Sequence, residues 1–331
     1  MYYPRHELQW RLSLFFCSSI FAGAVSGLLA YAISNMAGIG GYNGWRWIFI
    51  IEGLATVVLA ACSKFIIVDW PEDAKFLTPA ERELLLRRLR IDDKGITMDR
   101  FDNKAKLRTF GDYKIYLGIL MYMGITSVGY STSFFTPTIL KQLGWTSVHA
   151  QVMSIPIYIV AAFFSLLTAY LSDRMRHRFG FIIFGICVCT VGLIVLMAQN
   201  NVSVAGKYTA LYITMTGGYI AQPVIIVWLA NNMAGHYKRS VNAAMQIGFG
   251  NIGGIIASNI FPTNEAPRFI TGYSVNVGLI WMAAMAATVL LVMMKTENEK
   301  RDQGKRDAML QLPEDEKNNL GDDHPRFRFV Y

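Results

Sequence analysis

The sequence predicts a polytopic α-helical membrane protein, and three observations carry that fold class. Of 331 residues, 53% are hydrophobic and only 16% are charged, against about a quarter charged in a soluble domain. The charges are also clumped. Uncharged runs cover 12–45, 115–140, 150–172, 179–206, 208–235, 240–264 and 269–294, and a membrane-spanning helix needs about 20 consecutive apolar residues. Finally, Lys and Arg concentrate in alternate connections between those runs, the signature of a chain threaded repeatedly through a bilayer. A soluble enzyme, a disordered chain and a disulfide scaffold are excluded. The formal net charge of +8 is not read as a nucleic-acid footprint, because no basic stripe or finger motif accompanies it.

Eight spans follow in order, at 12–34, 46–68, 115–137, 150–172, 179–200, 208–233, 240–262 and 270–294. The polar, aromatic stretch before the first is no signal peptide, since the apolar run behind it is too long for an h-region. The first span holds Gly23 and Gly27, a G-x-x-x-G spacing that suits close helix packing. The second holds Glu52, the one acid well inside a span. A charge in hydrocarbon costs about 3 kcal/mol or more, so Glu52 is expected to face protein or water, either packed structurally or as a coupling acid. Trp70-Pro71 ends this helix, because proline cannot continue it. In the long connection 69–114, Thr78-Pro79-Ala80-Glu81 reads as an N-cap, a first-turn proline and a capping-box glutamate. Leu84, Leu85, Leu86 and Leu89 make one apolar face on the helix that follows, a short amphipathic helix at the membrane surface.

The later spans carry the polar residues. In the third, Tyr122, Thr126, Tyr130 and Ser133 recur at helical spacing. In the fourth, Tyr158 and Ser165 face together beside Pro156. The fourth joins the fifth through Leu171-Ser172-Asp173-Arg174-Met175-Arg176-His177-Arg178. The fifth contains Cys187 and Cys189, a C-x-C with no second pair or histidine to complete a metal site. The sixth has Tyr212, Thr216, Tyr219 and Gln222 in one stripe beside Pro223. In the seventh, Asn242 and Gln246 share a face, and Asn251 lies on another. Phenols and amides inside a span need partners, supplied by a water-filled cavity or by helix-to-helix hydrogen bonds. Taken as a set, they point to a central polar cavity. The run Gly248-Phe249-Gly250-Asn251-Ile252-Gly253 matches G-x-G-x-x-G but lacks the strand and acid of a dinucleotide site. No cofactor is expected.

With eight spans both ends lie on one side. Only Arg46, Lys141, Lys207 and Arg268 fall on the other, leaving 27 of the 31 basic residues with the ends. The positive-inside rule makes that side cytoplasmic. The sequon Asn201-Val202-Ser203 then falls outside, too close to the membrane for efficient glycosylation.

Several stretches resemble the major facilitator superfamily, and within it the fungal anion:cation symporter family of allantoate and nicotinate permeases. They are Tyr3-Pro4-Arg5-His6-Glu7, then Gly27-Leu28-Leu29-Ala30-Tyr31, and most specifically Gly44-Trp45-Arg46-Trp47-Ile48-Phe49-Ile50-Ile51-Glu52-Gly53-Leu54. Trp70-Pro71-Glu72-Asp73-Ala74 and its continuation are similar to that family's central loop, and Asp322-Asp323-His324-Pro325-Arg326-Phe327-Arg328-Phe329-Val330-Tyr331 to its C-terminal tail. The family has twelve helices, so the resemblance implies that this chain begins just before the fifth. Its parts would be residues 1–68, the last two helices of the N-terminal half; 69–114, the central loop; 115–294, a six-helix C-terminal half; and 295–331, a cytoplasmic tail.

The connection through Asp173, Arg174 and Arg178 resembles the superfamily's G-x-x-x-D-R-x-x-R-R motif, with Ala169 in the usual glycine place. Charge pairs at such a turn suit either a gate that clamps and releases or simple anchoring. The resemblance implies proton-coupled symport of a small organic anion across the plasma membrane, not enzymatic activity. Candidate substrate residues are Tyr122, Thr126, Tyr130, Tyr158, Tyr219, Gln222, Gln246 and Asn251. Arg46 and Glu52 are candidates for coupling or structure. The C-terminal half has no charged residue near any midplane, so neutral donors or residues elsewhere would hold the anion. A second reading is a truncated membrane protein that does not transport, either an inert remnant or an interaction partner, with the face left open by the four missing helices free to associate with another chain.

Overall fold

The computed structural model describes residues 2, 8–92, 103–142, 144–198, 202–265, 268–313, 316–317 and 319–331. The stretch Tyr3 to Glu7 and the sequon's Asn201 lie outside the described residues. The chain is helical in long segments: α1 (Leu8–Ser34), α2 (Gly44–Ile66), α3 (Pro79–Asp92), α4 (Asn103–Phe110), α5 (Tyr113–Gln142), α6 (Ser147–Met175), α7 (Phe179–Met197), α8 (Val204–Asn231), α9 (His236–Gly250), α10 (Ile252–Asn259) and α11 (Ile270–Asp302). Six of them, α1, α2, α6, α7, α8 and α11, contain stretches long and apolar enough to cross a membrane. The third expected span is the continuous 30-residue α5, made less apolar by six hydroxyls between Thr126 and Ser133.

The seventh expected span, 240–262, is not one helix. It divides at Asn251 into α9 and α10. Glycines at 248, 250, 253 and 254 weaken the helix there, and the Asn251 side chain donates to the Ile247 carbonyl at 2.8 Å. The Ile247 carbonyl also accepts the Asn251 backbone N–H at 3.1 Å, so this side chain folds back onto the last turn of α9. Prolines behave differently: α6 and α8 run through Pro156 and Pro223 without a break.

The capping box before α3 forms as the sequence predicts. The Thr78 backbone N–H donates to Glu81 Oε2 at 2.9 Å, and the Glu81 N–H donates back to Thr78 Oγ1 at 3.4 Å. Tyr2 reaches the Asp69 carbonyl with its hydroxyl, which brings the start of the chain to the end of α2.

Helices α5 to α11 form the packed body, with α8 at its centre: Trp228, Leu229, Val224, Ile225 and Ala221 are fully buried. The tightest pair is α7 with α8. A side chain on Gly217 would run into the backbone of Cys189 and Gly185, so the two helices touch backbone to backbone as small residues allow. Helix α1 lies along α6, with Gly23 facing Tyr158. Helix α2 packs chiefly on α1 and buries no residue. Its apolar surface suits lipid, since hydrocarbon imposes no penalty on Leu and Phe.

One end of the bundle gathers the basic connections. Lys114 at the start of α5, Arg178 at the start of α7 and Lys238 in α9 all meet residues of the 319–331 segment there.

Candidate substrate cleft and gate

Between α5 and α8 lies a narrow cleft, about 210 Å³ with its open mouth included but with only about 10 Å³ of free room for a water-sized sphere. Its walls are Ile125, Val128, Gly129 and Thr132 of α5 and Thr214, Met215, Gly218, Tyr219 and Gln222 of α8. Gly129 and Gly218 make the space, because no atom lies within 4 Å of where their side chains would begin. A second narrow cleft, about 250 Å³ counting open space and again with only about 10 Å³ of free room for a water-sized sphere, shares Thr132 and Thr214 and continues toward Phe135, Phe261, Tyr273 and Asn276. Apolar walls with a few aimed polar groups are the usual make-up of a small-molecule site.

Of the eight substrate candidates, Tyr219 and Gln222 line this cleft. Tyr122 reaches it indirectly, its hydroxyl accepting from Gln222 Nε2 at 3.4 Å. Tyr158 of α6 donates to Ser133 at 3.3 Å, and its ring stands 6.5 Å from that of Tyr219. The structure thus brings Tyr122, Tyr158, Tyr219 and Gln222 into one neighbourhood built from three helices.

The other four are placed elsewhere. Thr126 Oγ1 lies 2.8 Å from both the Tyr122 and Gly250 carbonyls, so it sits in the seam between α5 and α9. Tyr130 donates to Asn251 Oδ1 at 3.0 Å, tying α5 to the α9–α10 break. Gln246 is fully buried, and neither amide atom has a hydrogen-bond partner among the described residues. Asn242, one turn away on the same face, is in the same position. Unsatisfied buried amides are costly and mark sites worth explaining.

Sequence reasoning missed a second polar group. Asn276 of α11 accepts from Ser127 at 3.0 Å and from Ser131 at 3.3 Å. Ser127 and Ser131 are four apart on α5, a spacing that could have flagged a second polar face. Nothing in the local sequence tied it to Asn276.

The α6–α7 turn builds the charge pair. Arg178 Nη2 lies 3.0 Å from Asp173 Oδ1, and its Nη1 donates to Ser172 at 3.3 Å. With the Asn231 amide oxygen turned toward it, Arg178 also donates from Nε and Nη2 at 3.2 Å. Arg176 takes φ 52° and turns the chain between the helices. The other Asp173 oxygen accepts from the Trp10 backbone N–H at 3.1 Å. Trp10 is in the first turn of α1, which carries no acid of its own, and a carboxylate there complements the helix dipole. Arg174 points outward and donates to Tyr170 at 3.3 Å. The turn therefore links α6 and α7 to α1 through one aspartate.

Arg46 and Glu52 belong to neither site. The Arg46 guanidinium lies 5.6 Å from the Tyr42 ring and 5.4 Å from the Trp45 ring. Glu52 is exposed on α2.

Comparison with known proteins agrees with this architecture. Among solved structures, the proton:xylose symporter XylE bound to 6-bromo-6-deoxy-D-glucose superposes with a TM-score of 0.61 at 15% identity, covering 89% of this chain and 65% of that one. An uncharacterised transporter of Schizosaccharomyces pombe is 36% identical over 302 residues, 91% of this chain and 60% of the relative. The high-affinity nicotinic acid transporter of Saccharomyces cerevisiae is 26% identical over 344 residues, 99% of this chain and 61% of the relative. The chain thus spans about three-fifths of the length of these curated relatives. The family model described as the Major Facilitator Superfamily matches residues 1–258, and with the helical architecture above it shows that the chain belongs to the Major Facilitator Superfamily.

Proposed function

We propose that the chain is the transport-bearing part of a proton-coupled symporter for a small organic anion of the nicotinate or allantoate type. The observation that carries this reading is the cleft between α5 and α8, with Tyr219 and Gln222 in its wall and Tyr122 and Tyr158 beside it. Phenol hydroxyls and an amide N–H can bind a carboxylate, and the apolar wall of Ile125, Val128 and Met215 suits a flat ring. The match to a nicotinic acid transporter over nearly the whole chain supports the substrate class. In this reading the membrane is the plasma membrane, as the family resemblance implies, and the distribution of Lys and Arg supports chain ends on the cytoplasmic side.

In this reading residues 1–68, 69–114, 115–294 and 295–331 are the N-terminal pair of helices, the central loop, the six-helix unit and the tail. Asp173 and Arg178 act as a gate, holding the turn against α1 in one state and releasing it in the other. Uptake of radiolabelled nicotinate tests the proposal, in cells deprived of their own carrier and in acidic and neutral medium. The chain is supplied joined to the upstream helices of a relative. Saturable uptake that collapses with a protonophore is expected. Uptake indifferent to both pH and protonophore would remove the coupling.

A further inference from the structure

The last thirteen residues, 319–331, lie outside the cleft and the gate, yet they are folded onto the basic end of the bundle. Leu320, Phe327 and Phe329 are buried there, and so is Asp322. A carboxylate out of water is expensive unless it is paired. Asp322 is paired twice: it lies 2.7 Å from the Lys114 ammonium on α5 and 2.8 Å from that of Lys238 on α9. Asp112 completes the group at 2.9 Å from Lys114. Lys238 also lies against Asp112, so two cations and two anions alternate in a buried site, with the Asp323 carboxyl close by. Without Asp322, two buried ammonium groups would share one carboxylate. Burial alone would raise the Asp322 carboxyl, but Lys114 and Lys238 overcome it and hold it well below the usual carboxylate range.

The rest of the segment is held by its backbone. Val330 exchanges two hydrogen bonds with the Asn232 side chain just past α8, at 2.8 and 2.9 Å. Phe329 does the same with Asn298 of α11, both at 3.0 Å. The Tyr331 carbonyl accepts from the Arg178 N–H at 2.8 Å, at the start of α7. Two side-chain amides thus each pair with both backbone groups of one tail residue, and each is itself buried.

We propose that residues 319–331 are a clasp: an intramolecular ligand, anchored by Asp322, that binds the ends of α5, α7, α8, α9 and α11 into one body. Helices in a membrane gain little from the hydrophobic effect between themselves, so five helix ends need another tie if they are to move as a unit. The clasp also ends on Arg178, the partner of Asp173, whose carboxylate holds α1. Loosening it frees the beginnings of α5 and α9 first, because both lysines lose their shared anion.

Hydrogen exchange read by mass spectrometry, on the full chain in lipid nanodiscs, tests this. In the wild type the Phe329 and Val330 amides are expected to exchange at least about a hundredfold more slowly than in the free peptide of residues 319–331. Asp322→Asn should lower that protection about tenfold or more and speed exchange at the start of α9, leaving the α1–α6 contact unchanged. The exposed-residue control Asp307→Asn should alter neither. Should Asp322→Asn fail to fold, the wild-type measurement still decides. Free-peptide rates at Phe329 and Val330 overturn the proposal. So does an Asp322→Asn variant that frays only the tail and leaves α9 as protected as before.

Discussion

Gln222 shows how a single side chain can be tested against two roles. Its amide bridges α8 to Tyr122 on α5 and forms part of the cleft wall. Gln222→Leu removes the donor and leaves the Tyr122 hydroxyl without that bond, at a cost of about 1 kcal/mol. If the amide also touches substrate, Gln222→Leu with Tyr219→Phe should lower uptake about tenfold or more, with surface expression kept. Unchanged uptake in the double variant would take this cleft out of consideration. Gln246 invites the opposite experiment. It is fully buried without a partner for its amide among the described residues, so Gln246→Met removes an unsatisfied group and should be neutral or stabilising by about 1 kcal/mol. A raised melting temperature with reduced uptake would mean that the amide finds its partner only in another conformation. A lowered melting temperature would show instead that the amide stabilises this one. The sequence made both residues visible, because polar groups stand out in uncharged spans. It could not say which neighbour each one meets. The stripe Tyr122, Thr126 and Tyr130 turns toward α9 and α10, and the neighbouring face with Gly129 and Thr132 lines the cleft. Helical spacing defines a face but not what lies opposite it.

Among the elements, the helices were legible because a bilayer forces long uncharged runs on any segment that crosses it. The break at Asn251 was harder to read, since the glycines around it also serve as contact points. Gly253 is one: a side chain there would stand 2.5 Å from the Met123 carbonyl, so α10 packs directly on the backbone of α5. Gly217 is the sharper case. Gly217→Ala forces α7 and α8 apart and should cost about 1–3 kcal/mol, read as a lower melting temperature in detergent; an unchanged value would mean that the backbone contact is looser than described. The Asp173 turn carries an element-scale prediction too. Asp173→Asn loses the charge that pairs with Arg178 and faces the N-terminus of α1, a dipole contact worth about 1 kcal/mol or less before the ion pair is counted. Spin labels at Leu14 and Met175, both exposed, should then give a broader or longer distance distribution. An identical distribution would reduce the turn to an anchor.

Over the whole molecule, the long basic connection suggests a division into two helices and six, but the sequence does not say how the pieces close. Lys114 and Lys238 are 124 residues apart, and their common partner Asp322 comes from the far end of the sequence; no local pattern announces such a group. The same scale decides what the chain can do alone. Alternating access needs two bodies rocking about a site between them. Here α5 to α11 form one packed body, whereas α2 buries no residue and α1 rests chiefly on α6. Two helices so placed leave polar groups outside the cleft uncovered as well: Tyr130, bonded to Asn251 at the α9–α10 break, remains more than a third exposed at 37%. A phenol and an amide facing hydrocarbon are unfavourable, so this face should seek cover from further helices or from another chain. We therefore expect no saturable uptake in liposomes from residues 1–331 alone, and uptake when the same residues follow four helices supplied by a relative. Concentration-dependent association of the short version, followed by crosslinking, should accompany its inactivity. Saturable, pH-dependent uptake by the short version, shown to be monomeric, would mean that α1 and α2 suffice as the second body, and the argument from the open cleft would fail.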